Sequence, residues 1–525
     1  MRPSPLSRRS VLKGASALVV ASTIASPLAM PNLSRAGSRP NFTHGVQSGD
    51  VSTNSGMVWT RVDRPSQVMM ELSTREDFAN PIKLPPLTAL PEGDFAVKRL
   101  LEGLPSGQEI FYRFVAADLS DLQATSAPVT GRFRTAPSQN RSVRFVWSGD
   151  TAGQGFGIDD VGMLTYAIMA KHEPDFFIHS GDTVYADNAM ADEMTLRTGA
   201  VWKNTILTEE KRKVAETLEE FRGQWKYNML DAHVRAMNAQ IPTFFQWDDH
   251  EVVNNWSAAK DLTEDDRYTE KSVPLLAARA GRAFHEMTPI RFTPAEPGRV
   301  YRKIAYGPLL DVFFLDLRSY RGPNSDGRQT EMTPQSRVLG AAQHAWLKQA
   351  LAASRATWKV IACDMPIGLN VWDDWETLSG VEAVANGDPG LPGGRELEFA
   401  DLLRFLKAAN IQNTVWVTAD VHYTAAHHYS PERAGFQDFN PFWEFVSGPL
   451  HAGSFGPNPL DGTFGPEVRF FKAPTPEQGF NLPPTAGLQF FGLVDIDGVT
   501  EQMTVRLMDR QDEELWRITL DPVKG

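Results

Sequence analysis

Carboxylate, phenol and imidazole side chains recur in this sequence at one kind of place, directly after short apolar runs. The stretch from Asp175 to Asp187 reads D-F-F-I-H-S-G-D-T-V-Y-A-D; Phe176, Phe177 and Ile178 form a compact apolar run, Gly181 breaks it, and Asp182 and Tyr185 follow in one loop. A carboxylate and a phenolate brought together are hard oxygen donors suited to a divalent or trivalent cation. Taken alone, the pair reads equally well as a turn, with Asp182 capping the next element and Tyr185 packing on the rim. Four further runs end in the same way: Val143 to Trp147 in Ser148-Gly149-Asp150, Thr243 to Trp247 in Asp248-Asp249-His250-Glu251, Lys359 to Cys363 in Asp364, and Thr414 to Thr418 in Ala419-Asp420-Val421-His422. Each is ordinary by itself. An acid at the end of all of them points to one shared cation-binding site.

Side chains so far apart in sequence need a scaffold that delivers run ends to one edge, and open α/β sheets do this at the carboxyl ends of their strands. The runs named above, with Leu309 to Leu315, alternate with helical patterns and predict a layered α/β domain over residues 141–521. Within it, Glu209 to Leu230 reads as the longest helix, with Val214, Leu218, Phe221, Trp225 and Leu230 near helical spacing. A second helix opens at Leu339, with His344 on its surface. The Gly-, Pro- and acid-rich stretch from Trp372 to Glu396 reads as a lid or rim loop, and Gly153 to Gly157 as a loop shaping the site beside Asp150. Cys363, in V-I-A-C, is an inert core thiol by pattern. Ahead of this domain, residues 41–137 alternate short apolar runs with turn residues and predict an all-β domain similar to fibronectin type III or immunoglobulin sandwiches. Residues Ala136 to Asn140 link the two.

The chain has 525 residues, 42% hydrophobic, with a formal net charge of -12, a balance that argues against a nucleic-acid-binding surface. One cysteine permits no internal disulfide, so the fold rests on core burial and on cations. Residues 1–36 read as an address: Arg8-Arg9 precede a mildly apolar run, the layout of a twin-arginine signal. That run is broken by Ser22, Thr23, Ser26 and Pro27, which disfavours a membrane anchor across a ~30 Å hydrocarbon core. The expectation is export by the twin-arginine machinery to the periplasm or medium, with no transmembrane segment in the mature chain.

As a set, G-D…G-D-x-x-Y-A-D…D-D-H-E…D-x-P…D-V-H resembles the calcineurin-like dinuclear metallophosphoesterases, and Gly181 to Asp187 resembles the purple acid phosphatase version with its iron-binding Tyr. With the leader, the β-rich N-terminal domain and W-D-D-H-E-V-x-N-N, the whole resembles the PhoD-like alkaline phosphatase and phosphodiesterase family. Asp249 stands where Asn is usual, Asp364 where His is usual, and Asp420 where the first His of G-H-x-H is usual. Where some members carry a Cys beside the first Asp, this chain has Ser148-Gly149.

The resemblance implies a layered metallophosphoesterase-type β-sandwich flanked by helices. It also implies a phosphoric ester hydrolase in which hydroxide generated at two cations attacks phosphorus. One cation would take Asp150, Asp182, Tyr185 and His422, a set that favours Fe(III). The other would share Asp182 and take Asp249, Asp364 and Asp420, an all-carboxylate set that suits Ca²⁺ better than Zn²⁺ or another divalent ion. His250 takes the place of the family's catalytic His, oriented by Glu251, and would protonate the leaving oxygen or stabilise charge on the phosphoryl group. Asn254, Asn255, His427, His428 and His451 are weaker candidates for lining the pocket. Arg318 and Arg321 would either clamp phosphate or form structural ion pairs. The substrate is a small-molecule or lipid phosphate ester. The alternatives are a phospholipase D-like phosphodiesterase and a non-catalytic exported metal-containing binding protein; a structural metal site gains nothing from a non-ligating His beside it, which weighs against the last.

Overall fold

The computed structural model describes residues 39–524; the twin-arginine segment lies outside them. Two sheets lie face to face in the larger domain. The six-stranded sheet runs in the order Thr243–Gln246, Phe176–Ser180, Val143–Ser148, Phe490–Ile496, Met503–Asp509, Glu514–Leu520. The seven-stranded sheet runs Arg302–Ala305, Leu310–Phe314, Trp358–Ala362, Thr414–Thr418, Phe442–Val446, Thr424–Tyr429, Pro466–Lys472. The strands that lead into the acidic run ends pair in parallel with one another within each sheet, so those ends emerge on one edge.

These strands are continuous apolar runs because both of their faces are covered. Phe145, Trp147, Phe176, Ile178 and Phe244 of the first sheet meet Val312, Phe314, Val360, Ala362, Val415 and Val417 of the second in one core. Their neighbours point outward and are covered by helices. Val146 and Phe177 pack with Leu164–Lys171 and Ala232–Asn238. Phe313, Ile361, Cys363 and Trp416 pack with Gly340–Ala353 and Glu396–Ala408. Cys363 is therefore a core thiol, and burial pushes its pKa well up. The N-terminal domain is a second β-sandwich, with three strands facing a five-stranded array. Its Asp50 receives an ion pair from Arg302 at 2.7 Å and the backbone N–H of Arg291, while Trp59 Nε1 donates to the Glu286 carbonyl.

Three sequence expectations change. The Glu209 to Leu230 stretch is not one helix: Glu209–Lys211 is a single 3₁₀ turn, and the α-helix runs Leu218–Asn228. Thr217 and Glu220 form a reciprocal capping box that starts the helix at this point, so the chain before it is free to turn the Lys211 side chain inward. His344 is buried rather than on the surface, with Nε2 3.3 Å from Asp401. Trp372 to Glu396 is only in part a rim loop. Trp372–Asp374 and Ser379–Val381 form an exposed-tipped hairpin, whereas Glu382, Arg395 and Glu396 are buried.

Gly492 lies opposite Trp147 in the strand register, and a Cβ there would collide with the Trp147 ring. Gly492→Ala should therefore cost about 1–3 kcal/mol of stability through overpacking. Denaturant unfolding should report it as a lower midpoint at unchanged slope.

Candidate metal centre

The Gly-Asp pairs have a local steric origin. A Cβ on Gly149 would lie 2.7 Å from the Ala419 Cβ, and one on Gly181 would lie 2.6 Å from the Asp248 Cβ, so only glycine lets the strand ends approach so closely. The chain then turns through left-handed backbone at Asp150 (φ 67°), Asp182 (φ 50°), Asp420 (φ 66°) and His422 (φ 61°). Non-glycine residues rarely adopt that region, and strain of this kind collects at functional sites. Cross-links between loops hold the turns: Thr151 N donates to the Asp182 carbonyl at 2.8 Å and Ala419 N to the Asp364 carbonyl at 2.9 Å.

One cluster joins Asp150, Asp182 and His422, whose ligand-type atoms lie within 4.8 Å of one another. Tyr185 completes it, with its phenol oxygen 2.9 Å from His422 Nε2. His422 Nδ1 bonds the Gly453 carbonyl, so Nε2 is the lone-pair nitrogen turned to Asp150 and Tyr185, the arrangement that orients metal-ligating histidines. The Gly153 to Gly157 loop does shape this site: a Cβ on Gly153 would lie 2.5 Å from the Tyr185 ring. Ser148 contributes nothing to the cluster, because its hydroxyl donates to the Phe490 carbonyl at 2.8 Å.

A second cluster joins Asp248, Asp249 and Asp420, and a third joins Asp182, Asp249 and His250, again within 4.8 Å. Asp182 thus belongs to two clusters. Asp364 is in none of them and lies 3.5 Å from Arg318 Nε. Arg318 is fully buried and pairs with Asp248 and Glu382, with Asp249 and Asp420 at 3.7 and 3.8 Å. Of the two roles open to it in the sequence, the structure shows the ion pair; the guanidinium is buried, and its Nη2, which faces Asp249 and Asp420, has no hydrogen-bond partner. Arg321 likewise pairs with Glu382.

The donor set fits cations. Both Asp150 oxygens and one oxygen each of Asp248, Asp249 and Asp364 are buried without a hydrogen-bond partner, an arrangement that is costly unless a positive charge is supplied. Burial, then the negative charge of Asp248, pushes the Asp150 pKa well above the carboxylate range; burial and Asp249 do the same to Asp182. Burial and the two aspartates raise the Tyr185 phenol. Asp249 behaves oppositely: Arg318 and His250 outweigh burial and hold it low.

His250 Nδ1 is 2.7 Å from Asp187, which leaves Nε2 as the other face of the ring, and the Tyr185 ring lies 4.3 Å from it. Burial pulls the His250 pKa down, but Asp187 and Asp249 outweigh it and hold the imidazole at about 9. The orienting carboxylate is Asp187, not Glu251 as expected. Glu251 instead accepts the backbone N–H groups of Asp182, Thr183, Val184 and Asp248, tying two acid-bearing loops together. Asp187 was visible in the Y-A-D segment, but nothing in the sequence said which histidine it would meet. Asn254 gives its backbone N–H to Asp187 and exposes its side chain; Asn255 gives its N–H to Asp249. His427 pairs with Glu444, His451 with the Gly157 carbonyl, and the His428 ring meets the Trp443 ring tilted at 50°; none is in the clusters.

The model of the PhoD-like phosphatase family matches residues 145–507, and that of the PhoD-like phosphatase N-terminal domain matches residues 27–137. The chain belongs to the PhoD-like phosphatase family. It is 29% identical over 459 residues to alkaline phosphatase D of Bacillus subtilis (strain 168), a match covering 82% of this chain and 73% of that protein. Its fold superposes on the structure of PhoD with a TM-score of 0.65 at 22% identity, over 91% of this chain and 89% of the other. It also superposes on a purple acid phosphatase from yellow lupin (Lupinus luteus) seeds with a TM-score of 0.55 at 13% identity, over 92% and 74%. As a PhoD-like phosphatase the chain is a phosphoric ester hydrolase with a metal-dependent site.

The four bonds to Glu251 generate a test of how this PhoD-like site is held. Glu251→Gln places an amide N–H₂ against backbone donors and should cost about 1–3 kcal/mol, as for buried donors left unsatisfied. Thermal unfolding and bound-metal content should fall together, with His250 untouched in sequence.

Proposed function

We propose that this protein is an exported alkaline phosphatase and phosphodiesterase that works at a pair of cations sharing Asp182. The observation that carries the reading is Asp182 itself, common to two acid clusters, with His250 in one of them and anchored from behind by Asp187. Asp150, Asp182, Tyr185 and His422 would hold the first cation, best suited to Fe(III) because of the phenol and two carboxylates. Asp182, Asp249 and Asp420 would hold the second, with Asp248 and Asp364 as further acids, and oxygen donors alone favour Ca²⁺ over Zn²⁺. When bound, the cations supply Lewis-acid neutralisation of the phosphoryl oxygens and a water acidic enough to attack near neutral pH.

The chain's own groups do the rest. Asp187 holds the proton on His250 Nδ1, so the proton delivered to the leaving oxygen comes from Nε2. Arg318 keeps Asp248 and Glu382 in place from beneath the site. Glu251 fixes the loops of Asp182 and Asp248, so the carboxylates do not have to reorganise when charge develops on the phosphoryl group. The substrate class is a small-molecule or lipid phosphate ester.

Turnover of a generic aryl phosphate by native-purified protein, with elemental analysis, tests the whole reading. A phenolate-bound Fe(III) gives a visible charge-transfer band. Tyr185→Phe should abolish the band while keeping the ring. His250→Ala should keep the band and both metals and lower kcat by ~10²–10⁴-fold, the range of a positioned acid or base. Loss of metal in His250→Ala would make His250 a ligand, and a colourless native protein with full metal content would replace Fe(III) by Zn²⁺ or another silent ion.

Export rests on Arg8-Arg9 ahead of the weak apolar run. Replacing both with Lys should leave unprocessed precursor in the cytoplasm, while the native precursor is exported to the periplasm or medium. Among the described residues no helix is long and apolar enough to cross a membrane.

A further inference from the structure

An aromatic path leads outward from the first cluster. The Phe455 ring meets the His422 ring edge-on at 5.3 Å, and Phe480 stacks on Phe455 at 6.3 Å with 17° between planes. Phe480 is 66% exposed, although phenylalanine gains from burial, and the Arg197 guanidinium stands over its ring at 5.7 Å. Arg197 sits in the turn of the hairpin formed by Glu193–Thr195 and Val201–Lys203, and Met194 of that hairpin packs over Gly155 in the loop that touches Tyr185. Among the described residues no carboxylate pairs with Arg197. Asn255, whose N–H goes to Asp249, bonds Asp373 of the hairpin that also carries Asp374 and Glu376. An acidic hairpin therefore adjoins the second cluster, and an aromatic and basic one adjoins the first.

We propose that Phe480 and Arg197 form the subsite for the organic part of the ester, and that it takes a flat aromatic ring carried on a sugar-sized spacer, as in nucleoside phosphates. Stacking on an exposed ring beside a guanidinium is a sequence-tolerant way to hold a base. Two ring widths separate Phe480 from His422, so a ring bonded directly to the ester oxygen stops at Phe455, while one carried on ribose reaches Phe480. The charge contrast between the two hairpins turns an anionic ester toward Arg197 and away from Asp373, Asp374 and Glu376. The proposal rests on the phosphoric ester hydrolase reading for the position of the phosphoryl group. The ligand is a small molecule, in keeping with a net charge of -12 on the chain.

The test compares the metal-loaded native protein with Phe480→Ala and Arg197→Gln on adenosine 5′-phosphate, phenyl phosphate and glycerol 3-phosphate. Adenosine binding by calorimetry provides a readout independent of turnover. Each variant should lower the ratio of kcat/KM for adenosine 5′-phosphate over glycerol 3-phosphate about tenfold, the size of one stacking contact, chiefly through KM. Adenosine binding should weaken by the same factor, and Phe471→Ala, an exposed ring on the Pro466–Lys472 strand, should change neither. An unchanged ratio overturns the subsite. An equal loss for phenyl phosphate overturns the spacer, because a ring bonded directly to the ester oxygen would then reach Phe480. If no ester is hydrolysed by the native protein, the hydrolase reading fails; adenosine binding that depends on Phe480 would then still support the subsite, and its absence would overturn that as well.

Discussion

Everything at the catalytic edge depends on one electrostatic constraint: many carboxylates are packed where water cannot solvate them. Asp150, Asp182, Asp248, Asp249, Asp364, Glu251 and Glu382 are all buried, and several have oxygens with no hydrogen-bond partner. Taking a single such ion out of water costs several kcal/mol, so the group is tolerable only beside compensating positive charge. The raised pKa values of Asp150, Asp182 and Tyr185 express the same demand in another form. Cations answer that demand and supply the chemistry at once, so in this family stability of the site and function of the site are one property.

The protein meets part of the demand itself. Arg318 lies wholly inside the acid ring and draws in Asp248 and Glu382, so one edge of the site is neutralised before any ion binds. Glu251 is held by four backbone N–H groups, a polar cradle that keeps its charge away from the ligand positions while it braces two loops. Asp187 is spent on His250, whose orientation then follows from the backbone of the same Y-A-D loop that carries Tyr185. Asp248, Asp249 and Glu382 each keep one open oxygen although a protein donor holds the other side, and both oxygens of Asp150 are open.

Strained backbone is the mechanical counterpart. Asp150, Asp182, Asp420 and His422 sit at positive φ because the strands must end abruptly and send side chains back over the sheet edge. The neighbouring strands stand close enough to require glycine at 149 and 181, and the two-sheet core behind them, filled by Phe145, Trp147, Phe176 and Phe244, is rigid enough to hold those turns.

The spacing of apolar runs and terminal acids determined the layered α/β class and the strands that matter, since parallel strands end on one edge; the members of the first cluster, drawn from the ends of both sheets, were legible only through the family resemblance of the motifs. Arg8-Arg9 and the single cysteine were equally legible without coordinates. Tertiary structure decided the partners: that Asp187 rather than Glu251 orients His250, that Asp364 turns to Arg318, that Asp248 joins Asp249 and Asp420, and that His344 and Lys211 are buried. The reason is physical. Strand periodicity and turn chemistry are local and are written in consecutive residues, whereas the choice among several equivalent carboxylates for one imidazole or one guanidinium depends on angles and distances across loops 60 and more residues apart, set only when the two sheets pack.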